Sequence, residues 1–526
     1  MRKLFAGLAT LFCSMMILTP MVAAQGFDPE LHQKAQDYTD YLMEWHSTGY
    51  GGVSDVLFTD DTRQELERMW GAGDSGDWTG TYLVSQAIRY IVTGEQEARD
   101  EVIRIGNYMH MLKEVTGDPG YLARYAAPNE PPWNVEYPPD TENLYPCVGY
   151  DNCFWLGDNV RDKYITWYWG LAWVFDALEG DEGADAIELR QIIKEDFRSV
   201  TLTLQSNDWT ITDPWGNVFK AAAILDDIRL AILVQTAHVI DEPEFWDLLD
   251  EEYENAKWSL LISSITIFNR YEDYYAFINN YSNAQPLFRL WPDRERFNHI
   301  FGIWLFNVRA WSSETHQTFF DAVWYGACLR YGQCDPDEME WYKNDMTHGL
   351  RVMWEAPNYQ RQVTCRDDLP LDNFSVWADQ FLADNPWITT LTGFDINPQT
   401  AVAHELDDRC WSSVMWERTP YHIECTRPEN QAHTAHGADF LIAYWLGVWY
   451  GILPGGGQGD AELIDDDADD DVDDDLNDDA DDDLDDDAGD DDDDDLNDDT
   501  GDGDQQIIPL PDDSSGDDDD DDCCGL

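Results

Sequence analysis

The sequence predicts an all-α fold, an (α/α)6 toroid of six helical hairpins followed by a disordered acidic tail. Two observations predict it. Between residues 27 and 453, helical windows with apolar residues three and four apart dominate over alternating runs of the β type. These windows also alternate between amphipathic ones, which belong on an outer surface, and ones that are apolar nearly all round, which belong inside. Six of each kind, in alternation, close into a toroid.

The outer and inner windows follow one another along the chain. The outer ones cover residues 28–47, 96–115, 184–204, 243–267, 292–311 and 336–353. The inner ones read "WTGTYLVSQAIRYIV", "KYITWYWGLAWVFDAL", "NVFKAAAILDDIRLAILVQTA", "YSNAQPLFRL", "HQTFFDAVWYGACLRY" and "ADFLIAYWLGVWYGIL". Two excursions, 117–161 and 354–435, interrupt the repeat. The alternative is an irregular helical domain that does not close.

The N-terminus has the pattern of a secretory signal. Arg2 and Lys3 precede the apolar run "LFAGLATLFCSMMILTPMV", and small residues at Val22 and Ala24 suit a signal peptidase. We therefore expect residues 1–24 to be removed and the toroid domain to occupy 25–453. No later run approaches the ~20 apolar residues of a spanning helix. The expected location is the periplasm, cell surface or exterior of a bacterium.

The C-terminal segment 454–522 begins with glycines and continues as an aspartate-rich tail. Too few apolar residues are present to offset the cost of ordering it, so we expect disorder. The nearest match to a calcium-binding loop has Pro509 where a bidentate Glu is needed, which leaves only weak Ca²⁺ association with the tail. The terminus 523–526 carries Cys523 and Cys524, which could anchor the chain to a surface. No other cofactor is expected.

The net charge of the chain excludes some classes of binding partner. The chain has 107 acidic and 31 basic residues. The tail from Asp460 holds 37 of the acidic residues and the signal holds two of the basic ones, which leaves 70 against 29, a net of −41, in the folded part. Such a surface repels nucleic acid and anionic membranes. A neutral or basic glycan meets no such barrier.

Cysteine spacing agrees with export, because disulfides persist in oxidising compartments. Short loops predict the pairs Cys147–Cys153 and Cys328–Cys334. Cys410 could pair with Cys425 or with Cys365.

Polar residues precede each inner window, and in a closed toroid these positions converge on one mouth. Carboxylates and imidazoles there could act as acid and base, and aromatic rings could stack on sugars. The competing interpretation is helix capping. No metal site is expected. The catalytic candidates are Asp77, Asp162, Asp213, Asn280, Tyr281 and His316, and the substrate-binding candidates are Trp78, Arg161, Tyr164, Trp215, Asn283 and His436.

The alternating hairpins resemble the six-hairpin glycosidase-like superfamily and the α/α-toroid polysaccharide lyases. The first resemblance implies Asp or Glu at inner-helix ends as acid and base. The second rests on "NNYSNA", which is similar to a lyase motif of the "NNHSYW" type, with Tyr281 in place of the His. We expect a glycoside hydrolase. A toroid lyase, and a non-catalytic glycan-binding or scaffold protein, are the alternatives.

Overall fold

The computed structural model describes residues 26–134, 143–219, 221–260, 270–271, 274–359, 366, 368–392, 395–409, 414–416, 419–423, 431–456 and 459. The predicted signal, the acidic tail and the cysteines at 365, 410, 425, 523 and 524 lie outside this part of the chain. Predictions that concern them therefore remain predictions.

Six inner helices form a closed ring. Each contacts the next one along the ring, and the last contacts the first. The ring accounts for the long apolar windows, because an inner helix is covered on every side by its two neighbours and by an outer helix. The predicted six-hairpin toroid is thereby confirmed. The inner helices are α2 Ser75–Thr93, α4 Arg161–Ala177, α6 Asp226–Ile240, α8 Tyr275–Leu290, α10 Thr318–Tyr331 and α14 Ala438–Trp449.

Six outer helices alternate with the ring, and their polar faces point to solvent. Two of them continue as π-helical turns, at Leu42–His46 and at Leu305–Arg309, the second followed by Ala310–Ser312. Two further helices, α12 Asn373–Asp384 and α13 Pro386–Thr392, lie in the second excursion. The outer helices are α1 Pro29–Tyr41, α3 Gln96–Glu114, α5 Ala184–Ser206, α7 Pro243–Ala256, α9 Arg294–Trp304 and α11 Pro336–Val352.

The first two inner helices approach unusually closely. A Cβ on Gly80 of α2 would lie 2.4 Å from the carbonyl oxygen of Thr166 on α4, and a Cβ on Gly170 would lie 3.3 Å from the Gly80 oxygen. Gly80 is therefore a packing requirement, whereas a Cβ on Gly170 would require its neighbours to move by a few tenths of an ångström. Within the ring, Gln285 of α8 accepts a hydrogen bond from Trp169 Nε1 at 2.7 Å, so side chains fill the middle of the toroid.

Two small antiparallel sheets are formed by segments that connect the helices. In the first, β1 Asp55–Phe58 pairs with β2 Leu66–Trp70 and with β6 His433–Thr434. In the second, β5 Cys153–Leu156 lies between β3 Tyr125–Pro128 and β4 Leu144–Pro146. The first sheet matters for the site because β2 and β6 lead toward the starts of α2 and α14.

Both short disulfides predicted within the described residues are present, Cys147–Cys153 and Cys328–Cys334. In the part of the chain that the structure describes, no helix combines the length and the apolar character needed to cross a membrane.

Two predicted helix starts are wrong. The third inner helix begins at Asp226, nine residues after the predicted Asn217, because Thr210 pairs with Ala223 in a β-bridge and Ala221 adopts a left-handed backbone with φ +60°. The fourth begins at Tyr275, six residues before the predicted Tyr281. The "NNYSNA" motif therefore lies inside a helix and does not precede one.

Candidate functional site at the N-terminal end of the inner helices

Carboxyl groups collect where the inner helices begin. Five of the six inner helices have at least one Asp in their first turn, and α8 has none. The helices run parallel because an outer helix returns the chain between successive inner ones. An Asp in this position also gains from the partial positive charge of the helix N-terminus. The first-turn residues are Asp77, Asp162, Asp226, Asp227, Asp321 and Asp439.

A lysine joins two carboxylates at the start of α2. Lys163 of α4 is buried, and its Nζ donates to Asp74 Oδ1 at 2.9 Å and to Asp77 Oδ2. Thr166 Oγ1 donates to Asp77 Oδ1 at 3.0 Å, and Tyr275 of α8 donates to Asp77 Oδ2 at 3.3 Å. The N-termini of α2, α4 and α8 therefore meet at one carboxyl group. We call Asp74, Asp77 and Lys163 the lysine cluster.

The two carboxyl groups of the lysine cluster have opposite pKa shifts. Burial and the negative charges of Asp162 and Asp74 raise the pKa of Asp77 to about 6, against the lowering effect of Lys163. Burial also disfavours ionisation of Asp74, but Lys163 and Arg124 outweigh it and lower the pKa of that carboxyl. The cluster therefore combines an ionised Asp74 carboxylate with an Asp77 carboxyl that keeps its proton to a higher pH.

Asp162 adds a carboxylate beside this cluster. It is half-buried in the first turn of α4 and makes no hydrogen bond or ion pair with any residue that the structure describes. Arg161, which precedes it, begins α4 and is also half-buried. Both candidates therefore lie at the predicted mouth.

An aromatic and histidine group continues the site toward α14. The ring of Trp78 lies 4.8 Å from that of His436 and 6.5 Å from that of Trp416. The carboxylate of Asp55 faces two imidazoles, with His433 Nε2 at 3.3 Å and His436 Nε2 at 3.8 Å. Trp78 and His436, both predicted to bind substrate, therefore lie together, and their role in binding stays a prediction.

Asp213 and Trp215 belong to a loop ahead of α6. Asp213 Oδ1 accepts from the backbone N–H groups of Trp215 and Asn217 at 3.0 and 2.6 Å, and its Oδ2 accepts from the Asn217 side chain at 2.8 Å. Asp213 thus serves to close the loop. Trp215 is 56% exposed and stacks on Tyr145 and Trp155, with ring centroids 4.3 and 6.1 Å away. It remains available to a ligand.

Two predicted residues have side chains that are fully buried in packing contacts. Tyr164 is fully buried. Its hydroxyl donates to the Gly120 carbonyl at 2.9 Å and so connects the start of α4 to the beginning of the first excursion. Tyr281 of α8 is fully buried. Its hydroxyl bonds Ser312 Oγ at 2.8 Å, and its ring stacks on that of Phe320 of α10, with the ring centroids 3.9 Å apart. Burial raises the pKa of Tyr281, which further opposes proton abstraction by it. Both hydroxyls are engaged in packing contacts, and the roles predicted for Tyr164 and Tyr281 stay predictions.

Asn280 and Asn283, two of the three asparagines of the motif, line a small cavity of about 30 Å³ with Asp227. Asn280 Nδ2 donates to the Ala276 carbonyl at 2.7 Å within its own helix. Asn283 Nδ2 donates to Asp227 Oδ2 at 3.3 Å, and burial raises the pKa of Asp227 to about 6. These residues form a polar packing contact between α6 and α8, separate from the lysine cluster.

His316 lies in the loop before α10, in the wall of a separate pocket of about 300 Å³. Its Nδ1 bonds Asp345 Oδ1 at 2.9 Å and its Nε2 faces Glu405 at 3.7 Å. Burial disfavours the imidazolium, but Asp345 outweighs burial and raises the pKa of His316.

Sequence reasoning missed Asp74, Lys163 and Tyr275. The signal for the first two was present, because Lys163 begins the second inner window, which is otherwise apolar nearly all round. A buried lysine requires carboxylate partners, and "DSGDW" supplied two. Tyr275 could not be found because the start of α8 was misplaced.

No protein-family model matches the chain, and no curated protein matches it. Among solved structures, it is similar to an endoglucanase from the termite Nasutitermes takasagoensis, with 10% identity, a TM-score of 0.38 and coverage of 80% of this chain and 98% of that one. It is also similar to a cellulase of C. cellulolyticum, with 10% identity, a TM-score of 0.38 and coverage of 79% and 98%. Because the identity and the TM-score are this low, the assignment of a toroid rests on the contacts between the inner helices of this chain.

Proposed function

We propose that the protein is an exported glycoside hydrolase that cleaves a glycan at the N-terminal end of its inner helices. The observation that carries the proposal is the opposite pKa shifts of Asp74 and Asp77, two carboxyl groups bonded to one ammonium. Glycoside hydrolysis requires such a pair, one carboxyl protonated and the other ionised. Because each oxygen is within hydrogen-bond reach of the same nitrogen, the nearest oxygens are at most about 6 Å apart.

In the proposed reaction, Asp77 is the general acid. It gives its proton to the glycosidic oxygen as the bond from that oxygen to the anomeric carbon breaks. Asp74 is the ionised partner, which either takes a proton from the attacking water or bonds to the anomeric carbon itself. Lys163 orients both groups and keeps Asp74 ionised. Trp78 follows Asp77 in the first turn of α2 and supplies an aromatic ring beside the pair.

The class of substrate and the location are inferred from the surface charge and from the disulfides. The acidic surface favours a neutral or basic glycan over an anionic one. The two disulfides are consistent with an oxidising compartment, as is the predicted signal. The lyase alternative would need a base other than Tyr281, whose buried hydroxyl bonds Ser312 Oγ.

The experiment is an activity screen on the mature chain. Neutral and amino-sugar glycans are incubated with the wild type near pH 5.5, with new reducing ends and absorbance at 232 nm as readouts. We expect reducing ends without absorbance. Asp77→Asn and Asp74→Asn should each lower kcat/KM by about 100-fold or more, whereas Asp247→Asn, an exposed residue of α7, should not.

Two results would count against hydrolysis at this site. A signal at 232 nm would mean elimination. Full activity in both Asn variants of the lysine cluster would place the reaction elsewhere.

A further inference from the structure

The helix α12 exposes a row of aromatic side chains. Phe374, Trp377 and Phe381 follow one another at spacings of three and four residues and are 40%, 59% and 42% exposed. Residues at these spacings share one side of a helix. Their rings also contact one another, with centroids 5.9 Å apart for Phe374 and Trp377 and 5.3 Å apart for Trp377 and Phe381. We call these three residues the aromatic ridge.

The aromatic ridge reverses the usual pattern of a surface helix. The side that α12 buries holds the smaller residues Ser375, Ala378 and Leu382. Burial of Phe or Trp stabilises a fold more than burial of Ser or Ala, because the stabilisation grows with the apolar area removed from water. The three largest apolar residues of α12 therefore contribute little to its packing. Contiguous exposed apolar surface of this kind marks an interaction site.

The aromatic ridge lies at the same end of the toroid as the lysine cluster. The ring of Phe374 is 5.0 Å from that of Tyr271. Tyr271 precedes Tyr275, the first residue of α8, by four residues, and four residues of chain span at most about 14 Å. The hydroxyl of Tyr275 donates to Asp77 Oδ2 at 3.3 Å. A long ligand that extends from Asp77 past the start of α8 therefore reaches the ridge.

The charge around the aromatic ridge restricts what can cover it. Between residues 367 and 408 the sequence has nine Asp or Glu and no Lys or Arg. In a symmetric dimer this acidic segment would face its own equivalent, and anionic lipids carry the same sign of charge. Helices that lie on membranes also carry Lys or Arg on their polar side, and α12 has neither. An uncharged partner meets no such repulsion.

The chemistry of the aromatic ridge suits a sugar polymer. Aromatic faces pack on the apolar faces of sugar rings. Gln380 and Asp384 are exposed and lie three residues after Trp377 and Phe381, beside the ridge. Gln380 Nε2 donates to Asp384 Oδ1 at 3.1 Å. This amide and carboxylate keep further donor and acceptor capacity, which sugar hydroxyls can use.

We propose that the aromatic ridge binds a neutral polysaccharide and, resting on the proposed function, that it holds the polymer whose chain is cleaved at the lysine cluster. Trp377 and Phe381 pack on the apolar faces of sugar rings. Gln380 and Asp384 hydrogen-bond the hydroxyls at the ring edges. The start of α8 connects this surface to Asp77.

Sedimentation with insoluble polysaccharide tests the proposal without turnover. The Asp77→Asn variant is mixed with particles of cellulose, chitin or a β-1,3-glucan, and the bound fraction is measured. We expect binding to at least one of them, and binding that does not weaken as salt rises, because ring stacking is not screened. Trp377→Ala combined with Phe381→Ala should weaken it about tenfold or more. Ile187→Ala, which removes an exposed apolar side chain from α5, should not.

Other occupants are tested on the same proteins. Vesicles of phosphatidylcholine, with and without phosphatidylglycerol, detect membrane binding, and analytical ultracentrifugation detects a second copy. Vesicle binding or self-association that the double substitution removes assigns the ridge to that partner and overturns the proposal. So does the absence of binding to all three polysaccharides, or equal binding by the double variant. An unchanged midpoint of thermal unfolding shows that weaker binding is not a loss of the fold.

Activity separates this proposal from the proposed function. In the otherwise wild-type chain, Trp377→Ala with Phe381→Ala should lower the rate of cleavage of the insoluble polymer more than that of a soluble chromogenic disaccharide. An equal fall on both substrates overturns the polymer-holding role. Polymer binding through the ridge by a wild type that cleaves no glycan removes the proposed function and leaves this surface standing.

Discussion

Asp77 and Asp176 lie at opposite ends of the inner ring and differ in protonation. Burial is the largest influence on each and opposes ionisation in both. Asp77 shares its one cation with Asp74 and feels the charge of Asp162, and its pKa rises to about 6. Asp176, near the end of α4, has Arg289 at 2.6 Å and His238 at 2.7 Å, and its pKa falls. The basic groups that contact each carboxylate decide the direction of its pKa shift.

This difference distinguishes the end of the ring that stabilises the fold from the end that can transfer protons. The Asp176 end is a closed ion network that locks α4, α6 and α8, and Arg289 also stacks on Trp173 at 3.7 Å. The Asp77 end keeps a carboxyl group that can gain or lose a proton near neutral pH. Substitutions that change the ratio of cations to carboxylates at either end should therefore have opposite consequences.

The largest effect is expected at the closed end. Arg289→Met should lower the free energy of unfolding by about 3–5 kcal/mol, because it leaves a buried carboxylate with one titratable partner and removes the stack on Trp173. Denaturant unfolding measures it. Arg351→Met, which breaks a surface pair with Asp28 and Glu30, is the control and should cost about 1 kcal/mol or less. Equal costs in the two variants would contradict the distinction between the ends.

At the other end, Lys163→Met should change the pH dependence of activity. Lys163 lowers the pKa of Asp77, so its removal raises that pKa, and the alkaline limb of the kcat/KM profile should move upward by about 1 to 3 pH units. The acidic limb should move upward as well, because Asp74 loses its main cation. A profile that only falls in height, with both limbs in place, would mean that Lys163 holds structure alone.

The pH dependence of the free energy of unfolding offers a further test, at the buried carboxyl group of Asp227. The pKa of Asp227 is raised to about 6, with burial as the main cause. The folded form therefore keeps a proton that the unfolded form has lost above pH ~4, and the wild type should lose about 2 kcal/mol of stability from pH 4 to 6 relative to Asp227→Asn. The difference should level off only above pH ~7, where Asp227 is ionised in the folded form as well. Parallel stability curves for the two proteins from pH 4 to 7 would sink this assignment.

The architecture was predictable because burial on all sides leaves a plain mark in the sequence. The windows at α2, α4, α10 and α14 contain few charges, and no turn residue misled their prediction. The starts of α6 and α8 were missed for different reasons. Ahead of α6, apolar residues belong to a loop held by Asp213. At α8, tertiary packing overrides the poor helix propensity of Asn279 and Asn280.

The site was only half predictable. Asp77 and Asp162 were found because first-turn positions follow from helix boundaries. Tyr281 was chosen from a motif, and a motif carries no information on which side of a helix faces the mouth. Opposed pKa shifts depend on distances between residues of different helices, so the pairing of Asp74 with Asp77 through Lys163 required the structure.

The smallest expected effect concerns Asp162, whose charge raises the pKa of Asp77. Asp162→Asn should lower that pKa, and the alkaline limb of kcat/KM should move downward, by less than the shift in Lys163→Met because Asp162 is half-buried and partly screened. Asp247→Asn corrects for the change in net charge. If Asp162→Asn instead abolishes activity at every pH, Asp162 itself contacts the substrate, and the reacting pair is Asp77 with Asp162. A small downward shift with kcat retained keeps the pair within the lysine cluster.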